Sequence, residues 1–413
     1  MIYKRILRIF IFLLIITGQI QAQASLDQLI EEALHANPDI NRVKNELNAR
    51  KFNIGPAGSL PDPEITFGLN NLPTDTYAFN QEPMTQKTIG LMQMIPFWGK
   101  LNMKQDMAEI DALIGAERYD ESKLQIIRLV KNTYYDLYYI SKAIEITDEN
   151  RQLLENVLQV ATIKYQSGKG IQRDLLQSQL ELLKLDEMLE ILKQQESVLK
   201  ARLNILLDRA PDRPIENPQT LITGRFDKSL DQIMELSIQN NPMLKIKDMT
   251  TEKTSVAEKL KRREYWPDIS LAAMYGQREN RPDFLSATVS LSIPIYARRK
   301  QSQKVQEAAA LNESAKFDYE DTKNDLLYQI KVMYDDSQKN HRLLELYENQ
   351  MIPQSRQAYE SAISAYTNDR IDYTSMIDNL MTVYKYQLAR ENVLSAYNKN
   401  IADLEFLTGE GVK

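Results

Sequence analysis

From residue 373 onward, apolar and aromatic side chains recur in steps of three and four: Tyr373, Met376, Leu380, Val383, Gln387, Arg390, Leu394, Tyr397, Ile401 and Leu404. Only Gln387 and Arg390 break the pattern. This is the narrow seam of a coiled coil, not the broad stripe of a helix lying on a globular core. A seven-residue repeat makes packed helices supercoil, so the pattern predicts a long helix with long partners beside it. Residues 366–408 thus read as a tight turn followed by a return helix, and residues 165–207 repeat that arrangement half a chain earlier. Each turn is preceded by the longest helical pattern of its half, 98–165 and 298–366. At about 1.5 Å per residue, such a helix extends roughly 100 Å. Pro353 should kink or interrupt the second one.

A second periodicity, of two, precedes each long helix. From Leu285 to Ile295, Leu285, Ala287, Val289, Leu291, Ile293 and Ile295 are apolar, while Ser286, Thr288, Ser290 and Ser292 between them are small and polar. Ile65, Phe67 and Leu69 alternate with Glu64, Thr66 and Gly68 in the same sense. Hairpins are expected over 62–97 and 267–296. Apolar-out, polar-in alternation over about ten residues is what a membrane barrel strand requires, although a half-buried strand of a soluble sheet has the same period. Four strands cannot close alone, because small barrels need about eight, and lipid does not tolerate open edges. The strands must therefore be pooled between subunits, and three copies would supply about twelve.

The two halves are copies of each other. SLDQLIEEALHANPDI begins at Ser25 and SLDQIMELSIQNNPML at Ser229, an offset of 204. Each carries a capping box, Ser25 with Gln28 and Ser229 with Gln232. Each then breaks and restarts at an Asn-Pro pair, Asn37-Pro38 and Asn241-Pro242. Lys131, Tyr134 and Asp136 match Lys331, Tyr334 and Asp336 at an offset of 200. The expected organisation is a first repeat over 25–210, a Pro-rich connector over 211–228, a second repeat over 229–409 and a tail over 410–413. The turns between the long and return helices are expected at 166–173 and 367–372.

Residues 1–24 read as a secretory signal: Lys4, Arg5 and Arg8, an apolar run from Ile9 to Ile16, then Ala22-Gln23-Ala24. Three basic residues and no acids leave with it, so the net charge moves from −6 to −9 and the mature chain begins at Ser25. An acidic balance argues against nucleic acid as a partner. The sequence has no Cys, which excludes thiolate chemistry and an N-terminal lipid on cysteine. No catalytic, cofactor or metal site is expected. Gly168-Lys169-Gly170 lacks the strand and spacing of a phosphate loop, and His35 and His341 lie far apart without ligand spacing. Met84, Met92, Met94, Met103 and Met107 read as packing more readily than as soft-metal ligands.

The ordered set of features resembles the TolC-like outer-membrane efflux channels, most nearly the branch paired with heavy-metal and cation exporters. The residues that carry the likeness are the duplicated Asn-Pro helices, the strand exits Ile95-Pro96-Phe97-Trp98-Gly99-Lys100 and Ile293-Pro294-Ile295, the two turns, and the endings Leu203 to Leu207 and Ala402 to Gly409. The resemblance spans residues 25–409. It implies a mainly α fold with a small β part: a coiled-coil α-helical barrel, plus four strands per protomer in a trimeric transmembrane β-barrel of about twelve strands. It further implies a homotrimer set in outer-membrane lipid, with a periplasmic helical tunnel that docks onto a periplasmic adaptor and an inner-membrane pump. The chain would then be a passive exit duct and not an enzyme, its cargo open between metal cations and drugs. The alternative is a periplasmic coiled-coil scaffold without channel activity. That alternative explains the heptads but not the strands together with the signal.

The resemblance also assigns candidate residues. The turns are the tips that meet the adaptor: Gly168, Lys169, Gly170 and Ile171 in the first repeat, Asn368, Asp369, Arg370 and Ile371 in the second. Gly, Asn and Asp tolerate the left-handed backbone a reversal needs, so these residues equally read as plain turn formers. Asp369 stands where the family usually has Gly. Family members carry carboxylates that narrow the tunnel mouth. Asp174 and Asp378 match those positions, Ser375 occupies another, and Tyr366 matches a residue that holds the mouth closed.

Overall fold

The computed structural model describes residues 26–221 and 228–410. The signal, Ser25 and its capping box, and residues 222–227 of the connector lie outside the described residues, as does the tail after Glu410. The first repeat runs α1 (Leu26–Ala36), α2 (Pro38–Phe52), α3 (Ile54–Gly58), β1 (Glu64–Asn70), β2 (Gln86–Ile95), α4 (Lys100–Gln166) and α5 (Gln172–Leu206). The second runs α6 (Leu230–Asn240), α7 (Pro242–Arg263), β3 (Asp268–Gln277), β4 (Phe284–Ser292), α8 (Gln301–Leu346), a π-helical turn (Tyr347–Met351), α9 (Ile352–Thr367) and α10 (Tyr373–Thr408). α4 is 67 residues long, about 100 Å of helix.

The duplication is physical as well as textual. In the first repeat Leu29, Ile40, Ile126, Val130 and Leu203 share one core. Their counterparts Ile233, Leu244, Leu326, Ile330 and Leu404 share another. A third core spans both repeats at the far end of the helices, where Leu154, Ala161 and Leu185 meet Tyr366, Tyr373, Met376 and Leu380. The predicted seam of α10 is buried at Tyr373, Met376, Leu380, Val383, Leu394, Tyr397 and Leu404. Its two polar positions are used rather than wasted. Gln387 accepts from Asn150 at 3.2 Å, and Arg390 holds Glu348 at 2.6 Å and Glu391 at 2.5 Å.

The seam is supplemented by a polar ladder between α4 and α10. Lys131 pairs with Glu405 at 2.5 Å and Lys399 with Asp136 at 2.6 Å. Tyr138 donates to Glu391 at 3.1 Å. The sequence counterparts Lys331 and Asp336 instead pair within their own helix, with Asp335 and Lys339.

The second long helix is interrupted just before Pro353, by the π-helical turn. Buried positions of the two long helices match at an offset of 200 before this turn (Leu137 with Ser337, Ile140 with Asn340) and at 201 after it (Leu154 with Ser355, Ala161 with Ala362). One inserted residue, taken up in a wider turn, accounts for the change. It also relieves the clash that Pro353 would make in a regular helix.

The four strands form one antiparallel sheet in the order β1-β2-β3-β4. Register places Ile65 opposite Leu91, Phe67 opposite Ile89, Ile89 opposite Tyr275, and Leu271 opposite Val289. One face therefore carries apolar side chains on all four strands, interrupted at Lys87, Gln93 and Gln277. Phe67, Leu285 and Val289 on it are exposed by 76%, 83% and 68%. The other face carries Thr66, Thr88, Ser270, Ser286, Thr288 and Ser290. The strands are shorter than the expected hairpin bounds. β4 ends at Ser292, so Ile293 and Ile295 lie past it. Pro294 has no N–H for the ladder, and the Ile295 N–H turns back to the Ile293 carbonyl at 2.9 Å. Where strand becomes helix, Lys100 donates to Asp268 at 2.7 Å and to the Trp266 carbonyl at 3.1 Å. Phe97 stacks on Trp266 with ring centroids 5.1 Å apart. The two repeats are thus stapled together under the sheet.

Candidate functional site: the paired tips

Both long helices end in the same reversal. The Gly168 N–H donates to Tyr165 and the Lys169 N–H to Lys164. Correspondingly, the Asp369 N–H donates to Tyr366 and the Arg370 N–H to Ala365. Gly168 has φ +71° and Asp369 φ +60°. Asp369 thus adopts the left-handed backbone that a glycine would supply, and the structural partners are Gly168 with Asp369, one position on from Asn368. Beyond the reversal the two tips differ. Asp372 caps α10 by accepting from the Ser375 N–H at 2.8 Å. Ile171 stands at the start of α5 without a side-chain cap.

Lys169, Ile171, Asn368, Asp369 and Arg370 are exposed, while Gly170 and Ile371 are half-buried. Ile371 packs against the tip core. The two tips are joined by Lys164, a residue that sequence reasoning missed. Its Nζ lies 2.6 Å from Asp369 Oδ1, donates also to the Tyr366 carbonyl, and sits 4.2 Å above the Tyr366 ring. The counterpart of Lys164 in the second repeat is Ala365, so the tie runs one way only. A cation one turn before a predicted reversal was the available signal.

The gate candidates divide into two groups. Tyr366 is buried and meets Tyr373 edge-on at 5.8 Å, and the Tyr373 hydroxyl bonds Ser178. Burial pushes the Tyr373 hydroxyl up to about 12. It also raises Tyr366, helped by the negative charges of Asp174 and Asp369. Asp174 is buried as well; its Oδ1 accepts no hydrogen bond, and its closest cation is Arg173 at 3.7 Å. Burial raises its carboxyl above the ordinary carboxylate range, and Asp372 adds to this against the opposing pull of Arg173 and Lys164. Asp369 is held below that range, chiefly by its hydrogen bond from Lys164. Asp378 and Ser375 are exposed, one turn from each other on α10. The arrangement offers a packed, proton-sensitive knot inside the tip and a bare carboxylate on an open helix face.

Comparison with known proteins bears on what such an arrangement is for. Residues 29–207 match the family described as outer membrane efflux protein. No curated protein matches the chain in sequence. Among solved structures, the outer-membrane channel OprN superposes with a TM-score of 0.82 at 14% identity, covering 94% of this chain and 90% of that one. The outer membrane protein VceC of Vibrio cholerae gives 0.82 at 18% identity, covering 94% and 97%. CusC, described as forming a transmembrane channel, gives 0.81 at 13%, covering 94% and 93%. Residues 29–207 thus resemble the outer membrane efflux protein family, and along nearly all its length the chain has the fold of these outer-membrane channels.

Proposed function

We propose that this protein is the exit duct of a tripartite efflux system, a homotrimer whose pooled strands cross the outer membrane and whose helices form a periplasmic tunnel. The observation that carries the reading is the sheet. It has a largely apolar, exposed face running across its strands and two unpaired edges, β1 and β4. Such a sheet cannot remain open in lipid, and joining β4 of one copy to β1 of the next removes both edges. Energy then comes from an inner-membrane pump, and the chain itself supplies only a path. The tips are the docking surface for a periplasmic adaptor, with Lys169, Asn368 and Arg370 offering donors around the two reversals. Asp378, repeated by three-fold symmetry, lines the mouth, with Ser375 beside it. Tyr366 and Asp174 set the packing that holds the mouth narrow. The cargo is a metal cation or a drug, chosen upstream by the pump.

The test is purification in detergent followed by reconstitution in planar bilayers. A trimer with stable single-channel conductance supports the reading. A detergent-free monomer or dimer with no conductance supports a scaffold and ends the channel proposal.

A further inference from the structure

The apolar face of the sheet stops at a sharply defined level, and the residues at that level are aromatic and then basic. Phe97 and Trp266 stack at the foot of β2 and β3. Trp98, Ile295 and Tyr296 stand out from the same junction, 85%, 76% and 72% exposed. Two residues further on, Arg298, Arg299 and Lys300 form an unbroken cationic run in the turn that opens α8, and all three are exposed. None of the three forms an ion pair among the described residues. The carboxylates that share a cleft with Lys300 are already engaged: Asp268 with Lys100 at 2.7 Å, Glu264 with Lys261 at 2.7 Å and Lys304 at 3.5 Å. The cation run is therefore unpaired among the described residues, although most cations elsewhere on the long helices have carboxylate partners.

Aromatic rings collect at the headgroup level of membrane barrels, because one end of the ring is apolar and the other wet. Guanidinium groups bind phosphate oxygens in a two-pronged geometry. We propose that Arg298, Arg299 and Lys300 form a site for the phosphate group of anionic glycerophospholipid in the membrane leaflet nearest the helices, with Trp98 and Tyr296 against its glycerol and upper acyl region. The inference rests on the barrel reading above and adds to it a lipid class and the residues that select it. Three copies in a trimer would surround the barrel's base with such sites. They would fix its depth in the bilayer at the point where strand gives way to helix.

The sequence has two tryptophans, and both, Trp98 and Trp266, stand at this level, so their fluorescence reports on it directly. The full-length protein is reconstituted into vesicles containing a brominated phosphatidylglycerol or the matching brominated phosphatidylcholine, at low salt. The anionic lipid is expected to quench about twofold more strongly than the zwitterionic one. The preference should fall as salt is raised toward 1 M, where screening reaches about 3 Å. It should also vanish in the Arg298→Gln/Arg299→Gln/Lys300→Gln variant, while quenching by phosphatidylcholine stays unchanged. Equal quenching by the two lipids in the wild type overturns the lipid site but leaves insertion standing. No quenching by either overturns insertion itself, and the proposal with it. Inorganic phosphate that abolishes the preference at matched ionic strength assigns the site to a free anion and overturns the lipid assignment.

Discussion

Asn37 and Asn241 perform the same two tasks at the same place in each repeat. The Asn37 side chain accepts from the Asp39 N–H at 2.9 Å and donates to the Leu206 carbonyl at 3.0 Å. Asn241 accepts from the Leu244 N–H at 3.1 Å and donates to the Leu407 carbonyl at 3.0 Å. One oxygen caps the start of a helix, and the amide nitrogen closes the end of a return helix. Only an amide does both. At the second site there is no room for a side chain beside this contact, since a Cβ on Gly409, where φ is +71°, would come within 2.8 Å of the Asn240 carbonyl.

Replacing either residue by Ala should cost about 1–2 kcal/mol, because a cap and a donor are lost together. Asn37→Asp separates the two roles. It keeps the cap but sets a carboxylate against the carbonyl end of α5, so it should be nearly as damaging as Ala. The two sites lie in separate cores, so the double variant should add within about 0.5 kcal/mol. Thermal unfolding of the detergent-solubilised protein checks all four.

The Lys164–Asp369 contact at 2.6 Å is the ion pair that joins one tip to the other. Asp369→Gly should preserve the reversal, since glycine takes φ +60° without penalty, while releasing the bridge. Asp369→Val should break the reversal as well, at about 1–2 kcal/mol. Hydrogen exchange over 364–372 distinguishes them: unchanged amides at 369 and 370 in the glycine variant, fast exchange there in the valine variant. Lys164→Gln should match the glycine variant in any effect on conductance.

Asp174 and Asp369 give the tip opposite responses to pH. The folded tip binds the Asp174 proton more tightly than the unfolded chain does, because burial raises this carboxyl. Stability from this residue therefore falls as pH rises through the carboxylate range. Asp369 is depressed by Lys164, so its contribution is present above the unperturbed value of about 3.9 and lost on acidification. Asp174→Asn should stabilise the tip by about 1 kcal/mol at pH 7, where it removes a buried charge whose Oδ1 accepts no hydrogen bond. The gain should disappear near pH 4. Unfolding midpoints of wild type and variant at the two pH values decide it.

The periodicities in the sequence carried the helices, the alternation of the strands and the duplication, because each depends on side-chain spacing along one chain. The seam of α10 was legible for the same reason. Contacts between distant segments were not. Asp174 matches a mouth-lining carboxylate in sequence, and nothing in that match shows that the side chain is buried, near enough to Tyr366 for its charge to act on that hydroxyl. Lys164 carried no motif, and its importance comes from a partner 205 positions away. Lys131 and Lys331 look equivalent in sequence, yet one crosses to α10 and the other stays on its own helix. Duplication fixes the backbone plan, while the packing of one repeat on the other decides the partners.

Asp378 is exposed. If three-fold symmetry brings its copies around the mouth, the ring favours cations through their summed field. Asp378→Asn should then lower the cation-to-anion permeability ratio roughly twofold, read as a reversal potential shifted toward zero under a salt gradient in planar bilayers. Ser375→Asp adds a second carboxylate one turn earlier and should move the potential the other way. An unchanged potential in both variants would remove these residues from the mouth.

The π-helical turn over Tyr347–Met351 makes a prediction about deletion, which long helices rarely survive. Removing one residue from a continuous helix rotates everything beyond it by about 100°, since a turn takes about 3.6 residues. In α8, loss of Gln329 would turn Ile330, Ser337 and Leu344 out of their cores, and the variant should not fold. Loss of Gln350 should act differently, because the residue belongs to a turn already one residue too wide. The equivalence of 200 positions that holds before the turn would then continue beyond it, and Ser355 and Ala362 would keep their buried places opposite α10. Pro353 would be left in a regular helix, where its ring clashes with the carbonyl four residues back. The deletion therefore has to be combined with Pro353→Ala. The combined variant should assemble like the wild type, with an unfolding midpoint within a few degrees, while Gln350 deletion alone should be weaker by about 3 kcal/mol. A combined variant that fails to assemble would show that the wide turn itself is needed, beyond accommodating an inserted residue.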